Sequence, residues 1–155
     1  MIGVLVSGEG TNLQALLDDG LPVVAVASNR SDARALQRAA AWLEARQVGL
    51  VVCAGYMHLL TPSFLDRFPG RVVNTHSAPL PEFPGAHPIE DVLAAGVSET
   101  AATVHYVDEG IDTGAVIASE RVPVLAGDDA AALRARVQAV EHRLLPRVVR
   151  ELIAG

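Results

Sequence analysis

Three short apolar runs rich in valine mark the first part of the chain: residues 2–6 (IGVLV), 22–27 (PVVAVA) and 48–54 (VGLVVCA). A strand covered on one face alternates apolar and polar positions, whereas a strand covered on both faces of a parallel sheet reads as a continuous run. These runs are therefore read as parallel strands. The stretches between them have helical character. Residues 12–19 follow Thr11 or Asn12 as capping candidates, and residues 31–47 are alanine-rich, with Ser31 and Asp32 in the first turn. A short helix over 61–68 starts with Pro62 in its first turn and stops before Pro69 and Gly70. RVVNTH, residues 71–76, is the fourth strand, and residues 88–95 form a helix that Gly96 ends.

Beyond residue 98 the pattern changes. TAATVHYVDEG and GAVIASERVPV alternate in places and flank Ile111, Asp112 and Thr113, so they are read as two further strands joined by a functional loop. Residues 128–151 form a long amphipathic helix, with Leu133, Val137, Val140, Leu144 and Val148 at helical spacing. Strands alternating with helices build βαβ units, and right-handed crossovers give a doubly wound α/β fold: a mostly parallel, Rossmann-like sheet with helices on both faces. With no repeat, linker or low-complexity tract, the expectation is one domain over residues 1–155.

Composition narrows the function. A chain of 155 residues buries ~70% of the surface its unfolded form exposes, so the core needs no staples. Cys53 is the only cysteine, which excludes an internal disulfide or a multi-cysteine metal site and suits a reducing compartment. A net charge of −6 with no cluster of basic residues argues against nucleic acid or an anionic membrane as main partner. No apolar run approaches the roughly 20 residues of a membrane span, and Met1 leads directly into a strand rather than a charged leader. We expect a soluble, cytoplasmic protein.

Candidate chemistry lies between the elements. SGEGTNL, residues 7–13, joins the first strand to the first helix, where backbone N–H groups and the helix dipole favour an anion. No Lys-Ser/Thr follows, as a P-loop requires, and Leu13 stands where a dinucleotide fingerprint has its third glycine, so a monophosphate fits best. Asn74 and His76 share one face at the C-terminal end of the fourth strand, where open α/β sheets place ligands. Asn offers an amide N–H to a developing oxyanion, and His donates as a cation or accepts a proton near neutral pH. Pro79, Pro81 and Pro84 stiffen the loop that follows into a wall. Asp112, on the loop between the last two strands, would favour the imidazolium of His76 and orient the ring if the two meet, and His105 is a candidate supporting partner. Gln138 and Glu141 are neighbours on one helical surface. Tyr56, Met57, His58, Leu59 and Leu60 make a mostly apolar lip suited to a flat heterocycle.

Together these segments resemble the phosphoribosylglycinamide formyltransferase family, folate-dependent enzymes of purine synthesis. The likeness runs through SGEGTNLQAL, AGYMHLLTPSFLDRFPGRVVNTH, PEFPGAH, VHYVDEGIDTG and RVQAVEH, in family order. The resemblance implies a catalytic trio of Asn74, His76 and Asp112. It implies that Gly10, Thr11 and Asn12, helped by Gln138, hold the phosphate of glycinamide ribonucleotide, while Glu141 binds its ribose hydroxyls or amine end. Met57, His58, Leu59 and Leu60, with the loop of Gly110, Ile111 and Asp112, would receive the pterin of 10-formyltetrahydrofolate, largely through backbone groups. No metal is implied, the partners are small molecules, and the oligomeric state is monomer or homodimer.

The chain also departs from the family. Members carry a longer stretch between the second strand and AGYM, enough for another strand and part of a helix, and the missing strand would be an edge strand. The tail after Ile153 is shorter, Ser77 stands where a proline commonly follows the histidine, and Ala101 replaces a usual glycine. Methionyl-tRNA formyltransferase would bring a basic domain for tRNA, and formyltetrahydrofolate deformylase an N-terminal regulatory domain. A non-catalytic nucleotide binder is the alternative of a different class.

Overall fold

The computed structural model describes residues 1–7, 10–28, 40–56 and 59–155. Strand β1 (Ile2–Val6) lies between β2 (Val23–Ser28) and β3 (Leu50–Ala54), parallel to both, and β4 (Val72–His76) continues the parallel run beside β3. β5 (Glu99–Tyr106) and β6 (Val116–Pro123) then add antiparallel pairings, giving the order β2-β1-β3-β4-β5-β6. Three pairings are parallel and two antiparallel, so the sheet is mixed. The helices are α1 (Thr11–Asp18), α2 (Pro62–Leu65), α3 (Pro88–Ala95) and α4 (Ala130–Ala154), with residues 40–44 also helical.

Both sheet faces are covered, which is why β1 and β3 are apolar without alternation. Ile2, Val4, Leu50 and Val52 pack with Leu16 of α1, Ile89 of α3 and the Leu133, Val137, Leu144 and Val148 stripe of α4. Leu5, Val51 and Cys53 point the other way, onto Leu43, Leu60, Phe64 and Phe68. From β1 the chain proceeds to β2 on one side, while β3 lies on the other. That reversal opens a crevice at the C-terminal ends of the parallel strands.

Several boundaries differ from expectation. The cap of α1 is Gly10 in the left-handed region (φ 76°), not Thr11 or Asn12, and no side chain among the described residues caps the helix. Asn12 is engaged elsewhere, and glycine reaches this φ without a Cβ clash. α4 begins one residue past Asp129, whose carboxylate accepts from the Ala132 N–H at 2.8 Å, and it runs through the buried Pro146, forfeiting one ladder bond there. The expected helix over 61–68 shortens to α2 followed by a turn. Most of the helix expected over 31–47 falls outside the described residues.

Candidate active site

A cavity of about 630 Å³ opens at the C-terminal ends of β1, β3 and β4, lined among others by Ser7, Ala54, Asn74 and His76. It is of the size small-molecule sites take. β4 places Asn74 and His76 on one face, and antiparallel pairing sets His105 of β5 directly across from Asn74. The loop between β5 and β6 returns to this rim and delivers Asp112. Gly114 lets the loop close, because a Cβ there would run into the carbonyl oxygen of Tyr106.

Asp112 lies between two imidazoles: its Oδ2 is 3.6 Å from His76 Nδ1 and its Oδ1 3.5 Å from His105 Nε2. The backbone N–H of Gly85 donates to Oδ2 at 2.9 Å. Burial alone would raise the Asp112 pKa. The hydrogen bond with His105, the Gly85 N–H and the charges of His76 and His105 outweigh it, so the carboxyl titrates below its ordinary range. Its backbone takes φ 55°, a left-handed conformation that Asp tolerates better than most residues.

The imidazoles have defined partners. His76 Nε2 donates to the carbonyl oxygen of Phe83 at 2.6 Å while Nδ1 faces Asp112, so a ring protonated on both nitrogens satisfies both neighbours. Phe83 and Gly85 flank Pro84, so the stiff loop supplies a carbonyl to His76 and an N–H to Asp112. His105 Nδ1 donates to the Tyr106 carbonyl at 2.8 Å. Its Nε2 then either accepts from Asn74 Nδ2, 3.3 Å away, or, when protonated, donates to Asp112. His105 thus links the amide to the carboxylate.

A second cluster joins α1, the end of β4 and α4. Glu141, 3% exposed, accepts from Asn12 Nδ2 at 3.2 Å and from Ser77 Oγ at 2.6 Å. Asn12 Oδ1 is buried without a partner among the described residues. Gln138, one turn before Glu141, also lines the cavity with Gly10 and Thr11. So does Arg134, a further turn back, which pairs with Glu90 at 2.7 Å. Arg134 escaped the motif reading, and its i, i+4 spacing from Gln138 is the signal that points to it. Ser77 stands out in the sequence only as a replacement for the family's usual proline, and no pattern ties its hydroxyl to Glu141.

A third part is apolar. Leu59 and Ile111 line the cavity and are 60% and 56% exposed, while Leu60 is buried against the Phe64 cluster. Gly110 completes that wall, whereas Met57 and His58 lie outside the described residues. Among the described residues no group of three or more His, Cys, Asp or Glu side chains could hold a metal ion, and no helix is long and apolar enough to cross a membrane.

Fold and site together define a doubly wound α/β protein whose polar groups converge at the point where strand order reverses. A family model described as formyl transferase matches residues 18–149, and the chain belongs to the formyl transferase family. It is similar to the phosphoribosylglycinamide formyltransferase of Mycobacterium tuberculosis, 43% identical over 179 residues that take in 96% of this chain and 83% of the relative. That span exceeds the 155 residues present here, so the relative carries segments this chain lacks. The Escherichia coli phosphoribosylglycinamide formyltransferase is 36% identical, over 96% of this chain and 84% of its own. The crystal structure of the Streptococcus pneumoniae phosphoribosylglycinamide formyltransferase superposes with a TM-score of 0.88 at 41% identity, covering 98% of each chain.

Proposed function

We propose that residues 1–155 act as one cytoplasmic catalytic domain, monomeric or homodimeric, that transfers a formyl group from 10-formyltetrahydrofolate to the amine of glycinamide ribonucleotide. The observation that carries this reading is the meeting of Asn74, His76, His105 and Asp112 on one wall of the cavity that also holds the Asn12–Glu141 pair. A cavity of this size, lined by Gly110 and by exposed Leu59 and Ile111, supports a flat apolar ring as one of the two substrates.

In this reading Gly10, Thr11, Asn12 and Gln138 hold the phosphate end of the amine substrate, using the N-terminus of α1. Glu141 takes its ribose hydroxyls or ammonium. As the amine nitrogen bonds to the formyl carbon, the oxygen becomes an oxyanion. Asn74 and protonated His76 donate to it, and Asp112 keeps the ring charged and aligned. His76 must turn from the Phe83 carbonyl to do so, and catalytic contacts are often looser in ligand-free proteins than in the reacting complex. Collapse of the adduct breaks the carbon bond to the donor nitrogen, which gains a proton as the amine loses one. Holding both substrates in one cavity supplies an orientation effect of several kcal/mol in well-aligned systems.

The test mixes purified protein with glycinamide ribonucleotide and 10-formyltetrahydrofolate and follows the folate absorbance. Donor consumption that depends on the ribonucleotide, with formylated ribonucleotide as product, is the expected result. Consumption without it would indicate hydrolysis, and no consumption a non-catalytic binder; either outcome overturns the reading.

A further inference from the structure

Ser77 directly follows His76 where β4 ends, and its side chain engages the second cluster, not the first. Its hydroxyl donates to Glu141 Oε1 at 2.6 Å, within the short range typical of a hydroxyl on a carboxylate. Glu141 is buried, and its only other side-chain donor among the described residues, Asn12 Nδ2, sits at 3.2 Å on the second oxygen. A buried carboxylate is costly unless hydrogen-bonded, and both donors here are neutral. Each carboxylate oxygen offers two lone-pair directions, so one on each is used and one on each remains. Asn12 Oδ1, also buried, has no partner among the described residues. The cluster is therefore an acceptor patch that calls for donors from a ligand: hydroxyls or an ammonium.

We infer that Ser77 is a positioning residue for the amine substrate, holding the Glu141 carboxylate in the one rotamer that presents its remaining acceptors to that substrate's hydroxyl or ammonium groups. The inference rests on the proposed transfer to a ribonucleotide amine. Without the hydroxyl, Glu141 Oε1 keeps no donor among the described residues, and the side chain regains rotamer freedom that binding must remove. Because Ser77 adjoins His76, the same bond ties the substrate-binding carboxylate to the strand that carries Asn74 and His76.

Steady-state kinetics of the full chain test this. Ser77→Ala should raise KM for glycinamide ribonucleotide about tenfold, the loss expected for one hydrogen bond to a charged group, with kcat and the donor KM within about threefold of wild type. Ser77→Thr, which keeps a hydroxyl, should restore KM to within about threefold of wild type, and the Ser77→Ala effect should vanish in a Glu141→Ala background. An unchanged KM, a fall in kcat equal to the rise in KM, or an effect that persists without Glu141 overturns the inference. If wild type transfers no formyl group, the proposed function falls, and calorimetric binding of ribose 5-phosphate decides separately. Tighter binding by wild type than by Ser77→Ala supports the role of Ser77; equal or absent binding by both overturns it.

Discussion

Two of the carboxylates that line the cavity, Asp112 and Glu141, are held in different ways. Asp112 sits on a loop in a left-handed conformation, between two imidazoles and a backbone N–H. Glu141 sits on the long helix α4, is buried more deeply, and among the described residues accepts only from a neutral amide and a neutral hydroxyl. Partners that can carry charge make a group respond to charge developing nearby, whereas neutral donors leave a carboxylate to act as a fixed acceptor. The first arrangement suits chemistry and the second suits binding.

Exchanging each carboxylate for its amide tests that division. Asp112→Asn keeps the shape, and Asn tolerates the left-handed backbone, but the charge that aligns His76 is gone. Turnover should fall by about 10²–10³, the scale seen when oxyanion stabilisation is lost, with KM for the amine substrate little changed. Glu141→Gln should do the converse, raising that KM about 10–100-fold through loss of bonds to a charged acceptor while kcat stays nearer wild type. Rapid-quench assays at saturating and limiting substrate separate the two. Matching effects on both parameters in the two variants would erase the distinction.

The depressed Asp112 pKa adds a smaller, pH-dependent contrast. A carboxyl whose folded pKa lies below its unfolded value contributes stability that is present above the unfolded value and lost as pH falls through the folded one. The melting-temperature gap between wild type and Asp112→Asn should stay constant near neutral pH and narrow only once pH drops below the ordinary carboxylate range. A gap that narrows already near neutral pH would mean that histidine titration governs the cluster instead.

How much of this was legible before the structure depends on the kind of contact. Asn74 and His76 could be read as neighbours because strand periodicity and a strand's C-terminal end are local properties. The continuous valine runs likewise announced β1 and β3, covered on both faces. Asp112 was placed through the family resemblance, since its return to the rim depends on antiparallel pairing of β5 with its neighbours and on a backbone N–H from the proline loop. The Phe83 carbonyl on His76 leaves no trace in any pattern, because every residue has a carbonyl and only its direction matters. The cap of α1 was misread for a related reason: local rules favoured Thr11 or Asn12, but a tertiary bond to Glu141, 129 residues away, claims the Asn12 amide.

Cys53, another titratable group lining the same cavity, is buried with no compensating partner among the described residues. It lies in β3, 3% exposed, among Leu5, Val51 and Phe64. At Asp112 the hydrogen bonds and opposite charges overcome desolvation. At Cys53 desolvation stands alone and pushes the thiol from its ordinary 9.0 up to about 12. The thiolate is the reactive species, so the native protein should resist a thiol reagent such as Ellman's reagent at mildly alkaline pH, while the same chain unfolded in guanidinium reacts at the rate of a free cysteine. The sign also sets a stability effect: the protonated thiol belongs to the folded state, so its contribution is full below the unfolded pKa and declines as pH rises above it. Native labelling as fast as the unfolded control would mean that solvent reaches the floor of the cavity. In that case burial would not be what holds the Cys53 thiol protonated.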